Sequence, residues 1–380
     1  MKTLIQSLAL AGGLAAATLP TFANDPVATE ALAEPTLAIA ASHVLVEGGV
    51  VMDDGMVLVG DGRILAVGKA ADLEGNLPDG VNVVRHDGWL SAGLVAANST
   101  LGLRASGDST GPFMSGLHLM HGFDDESKSL ERARALGLTA AGVEAGRSNV
   151  IGGVGGVIKT DGSVLRKSAN LTLCMTQPAV RTNRFPTTPG TAMGAVRKRF
   201  EGAADSSALA KAKAGQLTTS IAVNTLADIE RALYVAEDLG LRAVIRGGAD
   251  HSEFATELAE LGAGVALSPL GLSTNARAYN SLKALSKAGV PFAFGIADGG
   301  NAASLRESAA LAVSGGVDRA TAWNAITTNA AKLIGAGDRV GRVATGLDAD
   351  LVLWTGDPLL IASSPAAVYI GGAKSQGDSH

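Results

Sequence analysis

Cysteine is almost missing from this 380-residue chain. The one example, Cys174 in the apolar run "LTLCM", excludes an internal disulfide and reads as a small buried hydrophobe rather than a nucleophile. Aromatic residues are also scarce, at 4%, while alanine and glycine abound, so helices and strands must pack through small side chains. Charge of either sign is thin: 18% of residues are charged, the formal net charge is −5, and Lys and Arg do not cluster. That distribution excludes a nucleic-acid surface. Beyond the N-terminus no apolar run reaches ~18 residues without a charge or turn residue, which excludes a membrane-spanning helix there. What remains is a chain 47% hydrophobic, enough for one large core or two modest ones.

The first 23 residues differ from the rest. Lys2 precedes an apolar run from Leu4 to Leu19, and Thr21-Phe22-Ala23 ends it with small residues at the positions signal peptidase accepts. This predicts a signal peptide over 1–23, cleavage after Ala23, and a periplasmic or secreted protein. Residues 24–40 begin with "NDPVATEALAEPT", acidic and aperiodic, and read as a flexible leader.

From Val44 the text "VLVEGGVVMDDGMVLVGDGRILAVG" alternates β-branched residues with Gly-Gly and Asp-Gly pairs, which predicts hairpins. From about Leu94 the rhythm becomes short apolar strand, turn, helix. Candidate strands fall at 94–97, 139–145, 156–160, 171–175, 219–223, 242–245, 264–268 and 291–295. The segment "LADIERALYVAEDLG" has Ile229, Leu233, Ala236 and Leu239 on one helical face. Eight strands in about 250 residues predict an α/β fold of the (β/α)8 TIM-like barrel type rather than a doubly wound sheet. After "RATAWNAITTNAAKLIG" the chain turns β-like again. The predicted organisation is therefore a barrel over 91–337 and a small composite β-sandwich domain built from both chain ends, 41–90 plus 338–375.

The motifs "VLVEGGVVMDDG" with "GRILAVG", "GLVAANSTLGL", "NVIGGVGGVIKTDG" and "TTNAAKLIGAGDRVGRVATGLDADLVLWTGDPL" resemble the amidohydrolase superfamily, in its imidazolonepropionase-like and Xaa-Pro-dipeptidase-like branch. The resemblance runs from Val44 to Gly372 and implies a metal-dependent barrel hydrolase. Such enzymes hold one or two divalent metals at the barrel mouth, activating water for attack on an amide or related bond. The resemblance further implies ligands of a set kind: two histidines on the first strand, one after the fifth, one after the sixth, and an aspartate after the eighth that also serves as base. On this sequence those places fall on Asn98 and Thr100, on or near Asn224, near Gly247, and on Ala297, with Asp298 one step later. All five are changed.

Six histidines remain: His43, His86, His118, His121, His251 and His380. His118 and His121 form an H-x-x-H followed by Asp124 and Asp125, readable as a relocated metal site, a pocket lining, or surface residues; either aspartate could cap the helix "ESKSLERARALG". His251 and Asp298 lie near the expected mouth, and Asp298 reads either as a retained base or as a loop or helix cap. The resemblance also suggests comparing Lys159 with a metal-bridging carboxylated lysine; without histidines it reads instead as a barrel-end or surface lysine. "IGGVGG" matches no phosphate loop, and Asp348-Ala349-Asp350 reads as a structural turn.

Two functions follow as expectations. In the first, the barrel has lost its metal centre, carries no cofactor, and acts as a binding protein or as a non-catalytic partner of an active paralogue. Its polar mouth would be lined by Asn98, Thr100, His118, His121, Asn224 and His251. In the alternative, it is an active hydrolase of carbon–nitrogen bonds that holds zinc or another divalent metal through atypical ligands. A small-molecule ligand and a homo-oligomer fit either; nucleic acid and, after signal removal, membrane fit neither.

Overall fold

The computed structural model describes residues 34–248, 250–296 and 301–375. The predicted signal peptide, Ala297, Asp298 and His380 lie outside them. The chain begins with β1 (Leu37–Leu45), β2 (Val51–Gly60), β3 (Arg63–Lys69) and β4 (Asn82–Ala92). The Asp-Gly signal is realised between β2 and β3, where Asp61 and Gly62 take φ of 50° and 74°. Two consecutive positive φ values form the tight turn whose twist matches an antiparallel pair. β1 also pairs in parallel with β4, so β1 lies between β4 and β2.

The barrel sheet follows: β5 (Leu94–Ser99), β6 (Leu138–Val143), β7 (Ile151–Lys159), β8 (Val164–Cys174), β9 (Thr218–Val223), β10 (Ala243–Gly247), β11 (Gly264–Leu267) and β12 (Phe292–Phe294). Each overlaps one of the eight predicted strands. Helices pack outside, as Leu226–Leu239 illustrates. Thr225 caps it by accepting from Asp228 N, Gly240 ends it at φ 64°, and Ile229, Ala236 and Leu239 are buried.

One expectation is corrected. The alternation of strand and helix fails between β6 and β8, because β7 runs antiparallel to both. Lys159 N donates to Ser163 O across a turn containing Gly162 at φ 95°, so the chain doubles back at once with no room for a helix. The glycines of "IGGVGG" serve this meander. A Cβ on Gly155 would collide with Val143 O and the Asn170 amide, so only glycine lets the three strands lie so close.

The sheet closes through two kinds of bond. At one end Ile296 N donates to Asn98 O; at the other, the turn at 325–326 wedges between the outer strands, Ala325 O accepting from Phe294 N and Ile326 O from Val95 N. Val95, Ala97, Ala140, Val157, Ala169, Val244, Ala266 and Ala293 form one cluster with Ala330, Ala331 and Ile334. Residues from strands all round a closed sheet can meet only inside it. The barrel interior is therefore filled by alanine and valine and plugged by the helix Thr328–Leu333.

The chain then returns through β13 (Leu351–Trp354), β14 (Pro365–Ile370) and β15 (Ala373–Lys374). β13 pairs with β4 and completes a seven-stranded sheet of order β15-β14-β13-β4-β1-β2-β3. Its core mixes both chain ends, with Ile39, Val57 and Leu90 packed among Leu351, Leu353 and Tyr369.

Lys159 ties the two sheets together. It ends an antiparallel strand opposite Ala140, near the start of β6, and so sits at the barrel floor. There it is buried, not on the surface, with its ammonium 2.7 Å from Asp348 and 2.9 Å from Asp350. Burial pushes the Asp348 carboxyl up, but hydrogen bonds from Arg339 and Lys159 outweigh it and hold the group below the usual range. Asp350 is buried more deeply, and burial raises its carboxyl despite Lys159. The "DAD" turn is thus structural through buried ion pairs as well as through its backbone.

Removing one partner of a buried ion cluster leaves the other charges uncompensated, at a cost of about 3–5 kcal/mol, whereas an exposed pair contributes about 0–1 kcal/mol. Lys159→Met is expected to lower the chemical denaturation midpoint markedly, while Arg85→Ala, which breaks the exposed pair with Glu74, changes it little. Equal, small losses in both variants would show that the floor cluster does not hold the sheets together.

Candidate functional site

The strands of the interior alternate, so the residue two beyond each interior alanine or valine faces inward one layer nearer the mouth. Applied to Ala97, Val244 and Ala266, that period gives Ser99, Arg246 and Ser268, and Glu144 follows Ala140 and Gly142 in the same way. All four line a cavity of about 410 Å³ at the C-terminal ends of the parallel strands, together with Asn98, Thr100 and Arg147.

At the cavity's base lies a buried ion pair. Arg246 Nη1 is 2.9 Å from Glu144 Oε2 and donates also to Ala145 O at 2.9 Å; Ser220 Oγ donates to the same Glu144 oxygen at 2.7 Å. Both charged side chains are at least nine-tenths buried. The pair joins β10 to the end of β6 across the interior.

Of the residues singled out from sequence, Asn98 and Thr100 line this cavity. Asn98 sits against Gly295 at the end of β12, where any Cβ would overlap its side-chain oxygen. Asn224 lines a separate hollow of about 210 Å³ with Asp250 and Arg277. Its amide is engaged at both atoms: Oδ1 accepts from Arg147 Nη1 and Nδ2 donates to Thr176 Oγ1. Gly247 has φ 86°, and a side chain there would run into Arg147 Nη2. His118 and His121 stack with ring centroids 5.5 Å apart on the long connection after β5, where His118 bridges to Val154. Neither lines the 410 Å³ cavity, nor does His251. Asp124 and Asp125 do not cap the helix Lys128–Ala135; Ser127 does, accepting from Ser129 N.

The comparisons with known proteins agree with this architecture. Residues 209–375 match the model of the amidohydrolase family. That match covers less than half of the chain and marks a likeness to the amidohydrolase family over this segment. An amidohydrolase from Thermotoga maritima MSB8 superposes with a TM-score of 0.79 at 24% identity, over 89% of this chain and 99% of its own. A putative prolidase from Bifidobacterium longum gives 0.57 at 16% identity, over 91% and 95%. These likenesses concern the fold. In sequence, Amidohydrolase tasK of Hapsidospora irregularis is 43% identical over 47 residues, 12% of this chain; the match spans only 5% of that longer protein.

The metal that an amidohydrolase fold implies does not suit the side chains this chain has at its described ligand places. Asn98 and Thr100 are neutral oxygen donors, Asn224 has both amide atoms engaged, and the space a ligand at Gly247 would need is taken by the Arg147 guanidinium. Among the described residues, no group of three or more His, Cys, Asp or Glu side chains could hold a metal ion. Glu144, Arg147 and Arg246 were not singled out from sequence. The available signal was a lone charge at the end of each apolar run, in "TAAGVEAG" and "RAVIRGG".

His251 is fully buried, and its backbone N donates to Ser281 Oγ at 2.9 Å. Burial pushes its pKa down to about 4, against the opposing pull of the Asp250 carboxylate. The unfolded chain therefore binds this proton first, so stability is fully present above pH ~6.5 and is lost as pH falls from about 6.5 to about 4, by roughly 3 kcal/mol in all. Melting temperature against pH should fall less steeply across that window in His251→Gln than in the parent. Parallel profiles would mean His251 does not titrate as its burial requires.

Proposed function

We propose that this chain is a metal-free ligand-binding member of the amidohydrolase family, its barrel mouth holding a small molecule by hydrogen bonds and charge rather than hydrolysing it through a metal-bound water. The observation that carries this reading is the Glu144–Arg246 pair, which puts a guanidinium at the base of the mouth cavity. A divalent cation placed in this cavity meets two guanidiniums, and the carboxylate among its described lining residues, Glu144, is already engaged by Arg246 and Ser220. The cavity's size lies in the ordinary range for small-molecule sites.

The test is metal content. Protein purified without chelator, offered zinc or manganese and then dialysed, is expected to retain well under one equivalent. Near-stoichiometric metal overturns the reading, the more so if amidase or dipeptidase activity accompanies it and disappears in His118→Ala, His121→Ala or Asp298→Asn. The double variant Asn98→His/Thr100→His is expected to stay equally poor in metal, since Asn224 and Gly247 add no ligand. Tight metal capture by that variant would mean the remaining places suffice.

A further inference from the structure

Five side chains of the mouth cavity carry hydrogen-bonding groups that the protein itself does not use. Asn98, Thr100, Ser106, Ser148 and Ser268 all line it, and among the described residues none of the five has a side-chain hydrogen bond. Ser99 differs: it lines the same cavity but gives its hydroxyl proton to Gly142 O. Asn98, Thr100, Ser106 and Ser148 are half-buried with no polar side-chain atom sealed from solvent, and Ser268 is exposed. The free groups are therefore reachable from the cavity rather than enclosed in the packed interior.

They converge from separate parts of the chain. Asn98 lies on β5 and Thr100 just past it, Ser106 on the connection that follows, Ser148 between β6 and β7, and Ser268 just past β11. A molecule in the cavity thus meets free groups on several sides, and four of the five are hydroxyls, which rotate to donate or to accept. The charged lining residues already have partners: Glu144 meets Arg246 and Ser220, and Arg147 donates to Val223 O and Asn224 Oδ1. Among the described lining residues there is no aromatic ring, and the apolar side chains are Ala145, Pro178, Pro269 and Ile296. Small-molecule pockets are ordinarily lined mostly by apolar and aromatic side chains, so this cavity departs from them toward neutral polar groups.

We propose that the mouth cavity takes an uncharged polyhydroxy molecule of monosaccharide size, its hydroxyls pairing with Thr100, Ser106, Ser148, Ser268 and the Asn98 amide. The proposal rests on the metal-free reading above, narrows its binding to hydrogen bonds alone, and names the ligand class for that same site. A polyol carries donors and acceptors on every side, as the cavity walls do. A charged group would find no free counter-charge among the described lining residues, and an alkyl chain would find little apolar wall.

Calorimetry on the full chain tests this, with glucose, mannose and myo-inositol as neutral polyols, cyclohexanol as a ring of similar size bearing one hydroxyl, and glucuronate as the charged counterpart. At least one polyol is expected to saturate the protein with a Kd of about 1 mM or below, and cyclohexanol and glucuronate to bind at least about ten-fold more weakly. The triple variant Thr100→Val/Ser106→Ala/Ser148→Ala removes three free hydroxyls and breaks no side-chain hydrogen bond within the protein. It should melt like the parent and bind the polyol about ten-fold more weakly or worse. Ser268→Ala, at an exposed position where folding is not at stake, provides a second arm and should weaken binding about three-fold. The proposal is overturned if no polyol saturates, if cyclohexanol or glucuronate binds as well as the polyols, or if Ser268→Ala or the folded triple variant binds like the parent. A metal-free protein that ignores polyols sinks this inference alone, whereas stoichiometric metal sinks the functional reading beneath it.

Discussion

A charge enclosed by a protein needs its counter-charge within hydrogen-bond reach, and this chain places such a pairing at each end of its barrel. At the floor, Lys159 meets Asp350, 191 positions later; at the mouth, Glu144 meets Arg246, 102 positions later. The floor cluster brings the turn at 348–350 under the barrel, where Gly93 N donates to Asp350 O and β13 aligns beside β4. The seven-stranded sheet can then be completed by a segment more than 250 residues from its first strands. Separation of the two chain ends would leave buried ions unpaired, and that cost joins the sheets.

Between the two charged ends the barrel is narrow and apolar. Alanine and valine fill it, glycines let β7 squeeze between β6 and β8, and the helix Thr328–Leu333 closes the bottom. The same small interior explains the composition: with few aromatics to fill space, strands and helices approach closely through side chains of one to three carbons.

That last layer is where an amidohydrolase fold would hold its metal. Here guanidiniums occupy the space instead, one fixed by Glu144 and the other reaching from Arg147 to Asn224, across the position a side chain at 247 would need. The replacement is concerted in space: Gly247 has room for Arg147, and Gly295 has room for Asn98. Under the proposed reading the mouth has given up holding a metal while the scaffold around it kept its form.

The sequence by itself determined where the strands and long helices lie, because apolar runs, helical faces and Asp-Gly turns are local properties that short-range sterics and burial enforce. Eight barrel strands, the apolar face of the helix over 226–239 and the hairpin at Asp61-Gly62 were all legible in this way. The direction of β7 was not, since an apolar glycine-rich run reads alike in either orientation, and only the tight turn at Gly162 with two flanking strands decides it. Lys159, Glu144 and Arg246 were misjudged or missed for a related reason. A lone charge at the end of an apolar run looks like a solvated strand end. Whether it faces water or the inside of a barrel depends on how the sheet closes, and on whether a partner more than a hundred residues away arrives at the same layer.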